Sequence, residues 1–180
     1  MTAATDLDTF QAFLDEFEPY LKSGTLFWTV RPDLPALTVG GVLLLRRTLA
    51  VRRSRLPAGL AADYDRLESQ ASALFNRWPA NIEKKALQEI ASRLSQWTGA
   101  LEELGEGYST AVTPRVHLSL LLALVARLPE AASFQKRLAG LDARLRARFV
   151  SGEFVWEADL AEAFPKADFW FLYGRPSARR

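Results

Sequence analysis

If this chain performs chemistry, it must do so with one imidazole, His117, with its carboxylates, or with a hydroxyl. It has no cysteine, which removes thiolate zinc sites, iron–sulfur clusters, disulfide scaffolds and thiol nucleophiles. A carboxylate-bridged two-metal centre in a helical bundle needs Glu-x-x-His pairs. His117 has Pro114 three residues before it and Leu121 four residues after it, and neither side chain binds metal. We therefore expect no metal, and read His117 as a residue near a helix start that is hydrogen-bonded or partly wet. A serine nucleophile needs a base to accept its proton. The segment Gly107-Tyr108-Ser109-Thr110-Ala111 has the first glycine of a nucleophile elbow, but lacks the second glycine and a preceding strand. Neither Gly-x-x-x-x-Gly-Lys-Ser/Thr nor Gly-x-Gly-x-x-Gly occurs, so no nucleotide cofactor is expected, and none of another kind. Two acidic groups, Glu102, Glu103 and Glu106, and Glu153, Glu157, Asp159 and Glu162, could supply the acid and base of a hydrolase. Both stand near helix ends in polar surroundings. A solvated face accounts for them, whereas acid catalysis needs a desolvated carboxyl.

Two patterns are left. The first is the arginine run Arg46, Arg47, Arg52, Arg53 and Arg55. On a helix these side chains ring the axis instead of lining one edge. A phosphate-binding reading joins them to a second basic segment, residues 136–148, with Arg144 and Arg148 as contacts. The competing reading pairs the arginines with acidic helices, for example with Asp15, Glu16 and Glu18. The second pattern is aromatic: Trp156, Phe164, Phe169, Trp170, Phe171 and Tyr173 crowd the last 25 residues of the sequence. They either seal the open end of a bundle or form a hot spot for a partner. Trp28, Trp156, Trp170 and Tyr173 are the candidate aromatic contacts.

The elements that must position these residues follow from periodicity. The chain is 49 % apolar and 24 % charged, which is ordinary globular usage and excludes a disordered chain. Phe10, Phe13, Leu14, Phe17 and Leu21 mark a helix from Asp6 or Asp8 to Lys22, with Asp8 and Gln11 as a capping box and Pro19 as a kink or stop. Leu26 to Val30 reads as a short strand or an extended arm. A helix from Asp33 to Leu56, with Asp33 as N-cap, competes with a turn at Gly40-Gly41 and a buried strand from Val42 to Leu45. Helix is favoured from Val42 onward, and residues 25–41 stay open. Leu60, Tyr64, Leu67, Ala71, Leu74 and Trp78 form a seam, as do Ala86, Ile90, Leu94, Trp97, Leu101 and Leu104 after an Asn81 cap. These two helices should fold back as an antiparallel hairpin. The run from Val116 to Leu128 reads as a buried helix, too short to span a bilayer. A helix capped by Ser133 presents Phe134, Leu138, Leu141, Leu145 and Phe149. A short acidic helix over residues 158–164 and the aromatic arm follow.

The expected fold is a single all-α domain, a bundle of five to six helices over residues 1–180, with an irregular aromatic C-terminal arm. A small β-hairpin near residues 25–45 is the alternative for that stretch, and residues 175–180 read as a flexible basic tail. No apolar run spans a membrane and the acidic segment Met1 to Phe17 has no signal-peptide pattern. With the lack of cysteine this fits the cytoplasm and argues against a membrane partner. Since no catalytic constellation survives, the sequence points to a non-enzymatic helical interaction module. It would bind a protein partner or itself through the apolar-basic 25–56 region and the aromatic arm. One alternative is nucleic-acid binding through the arginines at 46–55 and the basic helix at 136–148. Another is a small-molecule or catalytic pocket inside the bundle.

Overall fold

The computed structural model describes residues 3–103 and 107–177. Among these are eight α-helices and one two-stranded antiparallel sheet, so the protein is mostly α. The chain divides into two compact units, Met1–Glu89 and Ile90–Arg180.

The first unit is built on helices α1 (Ala3–Asp15), α2 (Phe17–Lys22), α3 (Val39–Arg52), α4 (Ala58–Arg77) and the first part of α5 (Pro79–Glu103). Leu7, Phe10, Phe13, Leu14, Phe17, Tyr20 and Leu21 recur at helical spacing and are all buried. Proline has no N–H to bond four residues back. Pro19 therefore leaves the Asp15 carbonyl without its helical donor, and the helix breaks at Glu16 and resumes at Phe17. Because α1 begins at Ala3, Asp8 lies inside it and caps nothing, contrary to the expected capping box. The glycine pair belongs to α3 and makes no turn. Thr38 Oγ accepts from the Gly41 N–H at 3.0 Å, and the buried Glu89 carboxylate accepts from the Gly40 N–H at 2.8 Å. These bonds satisfy two of the donors that every helix N-terminus leaves open. The alternative of a β-hairpin over residues 25–45 is thereby corrected. It shrinks to one antiparallel bridge, Trp28 with Leu37, because the backbone from Val39 onward is committed to α3.

α1 packs closely against α3 and α4. The expected antiparallel hairpin of α4 and α5 is not the arrangement that holds α4, whose close neighbours are α1 and the short 3₁₀ turn at Arg53–Arg55. Only Trp78 separates α4 from α5, and a helical hairpin uses a loop of about 2–5 residues. α5 starts at Pro79, before the anticipated Asn81 cap, as a first-turn proline permits.

The second unit contains the rest of α5, α6 (Tyr108–Ala111), α7 (Thr113–Leu124), α8 (Glu130–Arg146), β1 (Phe149–Phe154) and β2 (Tyr173–Pro176). Thr113-Pro114 opens α7, and Val116, Leu118, Leu121 and Leu122 are buried along it. α8 starts at Glu130 after Pro129, three residues before the anticipated Ser133 cap. The C-terminal arm is more regular than its sequence suggests. Phe149 leaves the apolar stripe of α8 and opens β1 opposite Pro176. Its ring meets Tyr108 and Trp170, with centroids 6.4 and 5.1 Å apart. The expected short acidic helix is a 3₁₀ helix over Ala158–Ala163. Arg175 and Pro176, expected in a flexible tail, belong to β2, and the Ser177 N–H donates to the Arg148 carbonyl at 2.7 Å. The rest of that expected tail lies outside the described residues.

The arm is fastened by buried polar bonds. Arg115 donates to both oxygens of Asp142 at 2.8 Å, tying α7 to α8, and its guanidinium lies 4.2 Å over the ring of Phe171. The Tyr108 hydroxyl donates to the Phe171 carbonyl at 2.7 Å, and burial pushes that phenol above its ordinary pKa. At the β1–β2 crossing Gly174 has φ +143°, and a Cβ there would stand 2.2 Å from the Val150 carbonyl oxygen. Gly174→Ala should therefore lower stability by about 1–3 kcal/mol, measured as the urea midpoint. Gly152→Ala is the comparison and should change it little, because its Cβ would meet nothing closer than 3.7 Å.

Candidate functional site

The arginine run is largely neutralised inside the first unit. Arg46 makes a two-pronged pair with Glu68, one bond being 3.0 Å from Nε, and lies 4.9 Å over the Phe75 ring. Arg52 is buried and pairs with the buried Asp6 at 2.8 Å. Arg53 is exposed and forks onto Asp65 at 2.7 and 2.6 Å. That pair holds the Asp65 carboxyl below its ordinary pKa. Arg47 is half-buried and also engaged within the chain. Arg55 is exposed and alone among the five has no recorded partner among the described residues. The run is thus matched by acids, as the competing reading expects, but the partners are Asp6, Asp65 and Glu68 in place of Asp15, Glu16 and Glu18. In the second unit Arg144 is exposed and 4.0 Å from Glu102, while Arg148 is half-buried and donates to the Leu101 carbonyl.

The aromatic arm turns on itself. Phe164 and Phe171 are fully buried. The Trp156 indole N–H donates to the Ser109 carbonyl at 2.7 Å, and the Tyr173 hydroxyl donates to the Phe164 carbonyl at 2.8 Å. Trp170 meets Phe149 edge-on, and Arg146 covers its face at 3.7 Å. Trp156, Trp170 and Tyr173 are each half-buried, with their polar tips or faces already engaged.

Trp28 sits in a different setting. It lies in the segment between α2 and α3, where Leu26, Trp28, Val30 and Leu34 are half-buried and Phe27 keeps 37 % of its surface in solvent. Three devices hold this segment. Trp28 and Leu37 exchange backbone hydrogen bonds of 3.1 and 2.8 Å. Arg31 donates to Asp8 of α1 at 2.7 Å and to Asp33 within the segment at 3.3 Å. Lys85 of α5 is buried and donates to the Thr25 carbonyl at 2.5 Å, with its ammonium 4.5 Å over the Tyr20 ring. Desolvation, and secondarily the charge of Lys84, pull the Lys85 pKa below its ordinary value. Sequence reading missed Lys85 and Glu89. The available signal was their spacing: both fall beside Ile82, Ala86 and Ile90 on the buried side of α5.

An open groove of about 400 Å³ runs along α1, α2 and α4, lined by Leu14, Asp15, Glu18, Gln70, Ala73, Leu74 and Arg77. A general acid needs a raised carboxyl pKa. Glu18 is held below its ordinary value by its hydrogen bond to Lys22, and Asp8 likewise by Arg31. His117 is neither hydrogen-bonded nor wet, contrary to expectation: it is packed into the apolar interior on α7, and neither ring nitrogen has a hydrogen-bond partner. Among the described residues no group of three or more His, Cys, Asp or Glu could hold a metal, and no helix is long and apolar enough to cross a membrane. Set against known proteins, the chain matches no family model, no curated protein and no solved structure.

Proposed function

We propose that the protein is a non-enzymatic interaction module whose contact surface is the segment between α2 and α3, centred on Phe27, and whose partner is another protein or a second copy. The observation that carries this reading is an exposed phenylalanine on a segment fixed at both ends and in the middle. An apolar anchor that is ordered before binding loses little conformational entropy on association. Aromatic anchors of this kind supply most of the energy of many interfaces. The reading narrows the 25–56 region to its part before α3, because Arg46, Arg47, Arg52 and Arg53 beyond it are engaged within the fold. It also moves weight away from the aromatic arm, whose polar tips are bonded internally.

The test places a photo-crosslinking residue at the exposed Thr29 in the expressing cell and compares the adducts with and without Phe27→Asp. Sedimentation of the purified chain reports self-association in parallel. One discrete adduct is expected, with a partner or with a second copy, and Phe27→Asp should reduce it by about tenfold or more. Adducts insensitive to Phe27→Asp, or no adduct from a chain that sediments as a monomer, would refute the reading.

A further inference from the structure

A second surface, in the other unit and independent of the Phe27 segment, carries a different chemistry. α8 buries Ala131, Leu138 and Leu145 and presents the opposite side to solvent. Lys136, Arg137 and Arg144 lie there within about 100° of one another around the axis, at 100° per residue. All three are exposed. Lys136 and Arg137 have no ion pair among the described residues, and Arg144 has only the exposed Glu102 at 4.0 Å. The acids of α8 do not offset them. Asp142 is held by Arg115, and Glu130, on the same side as Arg137, stands two turns (about 10 Å) before it and makes no ion pair among the described residues. The other side chains within that sector are small: Ser133, Gly140 and Ala147 are all exposed.

We propose that this face of α8 binds the phosphate backbone of a nucleic acid. Three features select that occupant. Two of the cations are unpaired among the described residues, the third meets one exposed acid at 4.0 Å, and all three share one side, the arrangement that the 46–55 arginines lack. The small residues between them let a phosphate strand approach the helix closely. No large apolar side chain of α8 is exposed, since the exposed large apolar residues are Phe27 and Val150. An anionic bilayer binds an amphipathic helix through inserted apolar groups, and a protein interface is anchored by aromatic or aliphatic hot spots. A polyphosphate needs neither.

The test is fluorescence anisotropy of the full-length chain with a labelled mixed-sequence duplex of roughly 20 base pairs, titrated at about 50 mM and about 200 mM NaCl. Binding at the lower salt is expected, with affinity falling about 40-fold at the higher salt for three phosphate contacts. The triple variant Lys136→Ala, Arg137→Ala, Arg144→Ala should weaken binding by more than about tenfold and flatten the salt dependence. Each single replacement should lower the salt slope by about one, which keeps the proposal testable if the triple variant folds poorly. The control Arg53→Ala, Arg55→Ala should bind as the wild type does. No anisotropy change at low salt, an unaffected triple variant, loss in the control variant instead, or tighter binding to phosphatidylserine vesicles or polyglutamate than to the duplex would each overturn the proposal.

Discussion

Asp6→Ala should destabilise the protein by about 3–5 kcal/mol, the cost of removing one partner from a buried ion pair. Asp6 and Arg52 stand 2.8 Å apart with side chains 5 % and 9 % exposed, on α1 and α3. The penalty comes from the charge left behind: a buried guanidinium loses the carboxylate that compensates its desolvation. Replacing both, as Asp6→Leu with Arg52→Met, removes the charge and its partner together and should recover most of the loss. Chemical denaturation of the two variants against the wild type checks this. A cost below about 1 kcal/mol for Asp6→Ala would show that the pair contributes no more than a surface salt bridge. The exposed pair Arg53–Asp65 is the internal comparison, and its removal should be close to neutral.

The second large effect is a pH dependence. Burial, and secondarily the charge of Arg93, push the His117 pKa down to about 3 from the ordinary 6.5. Below pH 6.5 the unfolded chain takes up a proton at this imidazole and the folded chain does not. Stability therefore rises with pH between about 3 and 6.5 and falls as acid is added. From pH 7 to pH 5 this one group should remove about 2 kcal/mol. That window lies above the range in which Asp8, Glu18 and Asp65 titrate, since all three are held below ordinary carboxylate values. His117→Leu should abolish the slope between pH 5 and 7 whatever its own stability. An unchanged slope in that variant would assign the dependence to other groups. The same burial explains why His117 is a poor candidate for proton transfer at neutral pH. Its imidazole is neutral, and its nitrogens are closed off from solvent.

Much of the secondary structure was legible because helical periodicity is local. The stripe Phe10–Leu21, the seam of α4 and the apolar positions of α5 and α7 each need only their own residues to declare a core-facing side. Most of these positions are buried; on α4 Tyr64, Leu67 and Ala71 are buried while Leu60, Leu74 and Trp78 are half-buried. Pro19 marked a break, Pro79 the end of α4 and Pro114 a start for the same local reason. Legibility failed where distant residues decide. Gly40-Gly41 stays open between helix and turn until Glu89, 49 positions from Gly40, accepts from the Gly40 N–H. Phe149 reads as helical until residues 173–176 pair with β1.

The candidate surfaces divide along the same line. Composition alone excludes thiol chemistry and any site that needs two imidazoles from one chain, because an absent side chain cannot act. The amino-acid order also supplied the list of cations and aromatics. Which of these are free was decided only in three dimensions. Arg52 and Lys136 look alike in one dimension, yet one is buried against a carboxylate 46 positions earlier and the other faces water. Charge pairing acts through space over a few ångströms, and only the folded chain fixes those distances.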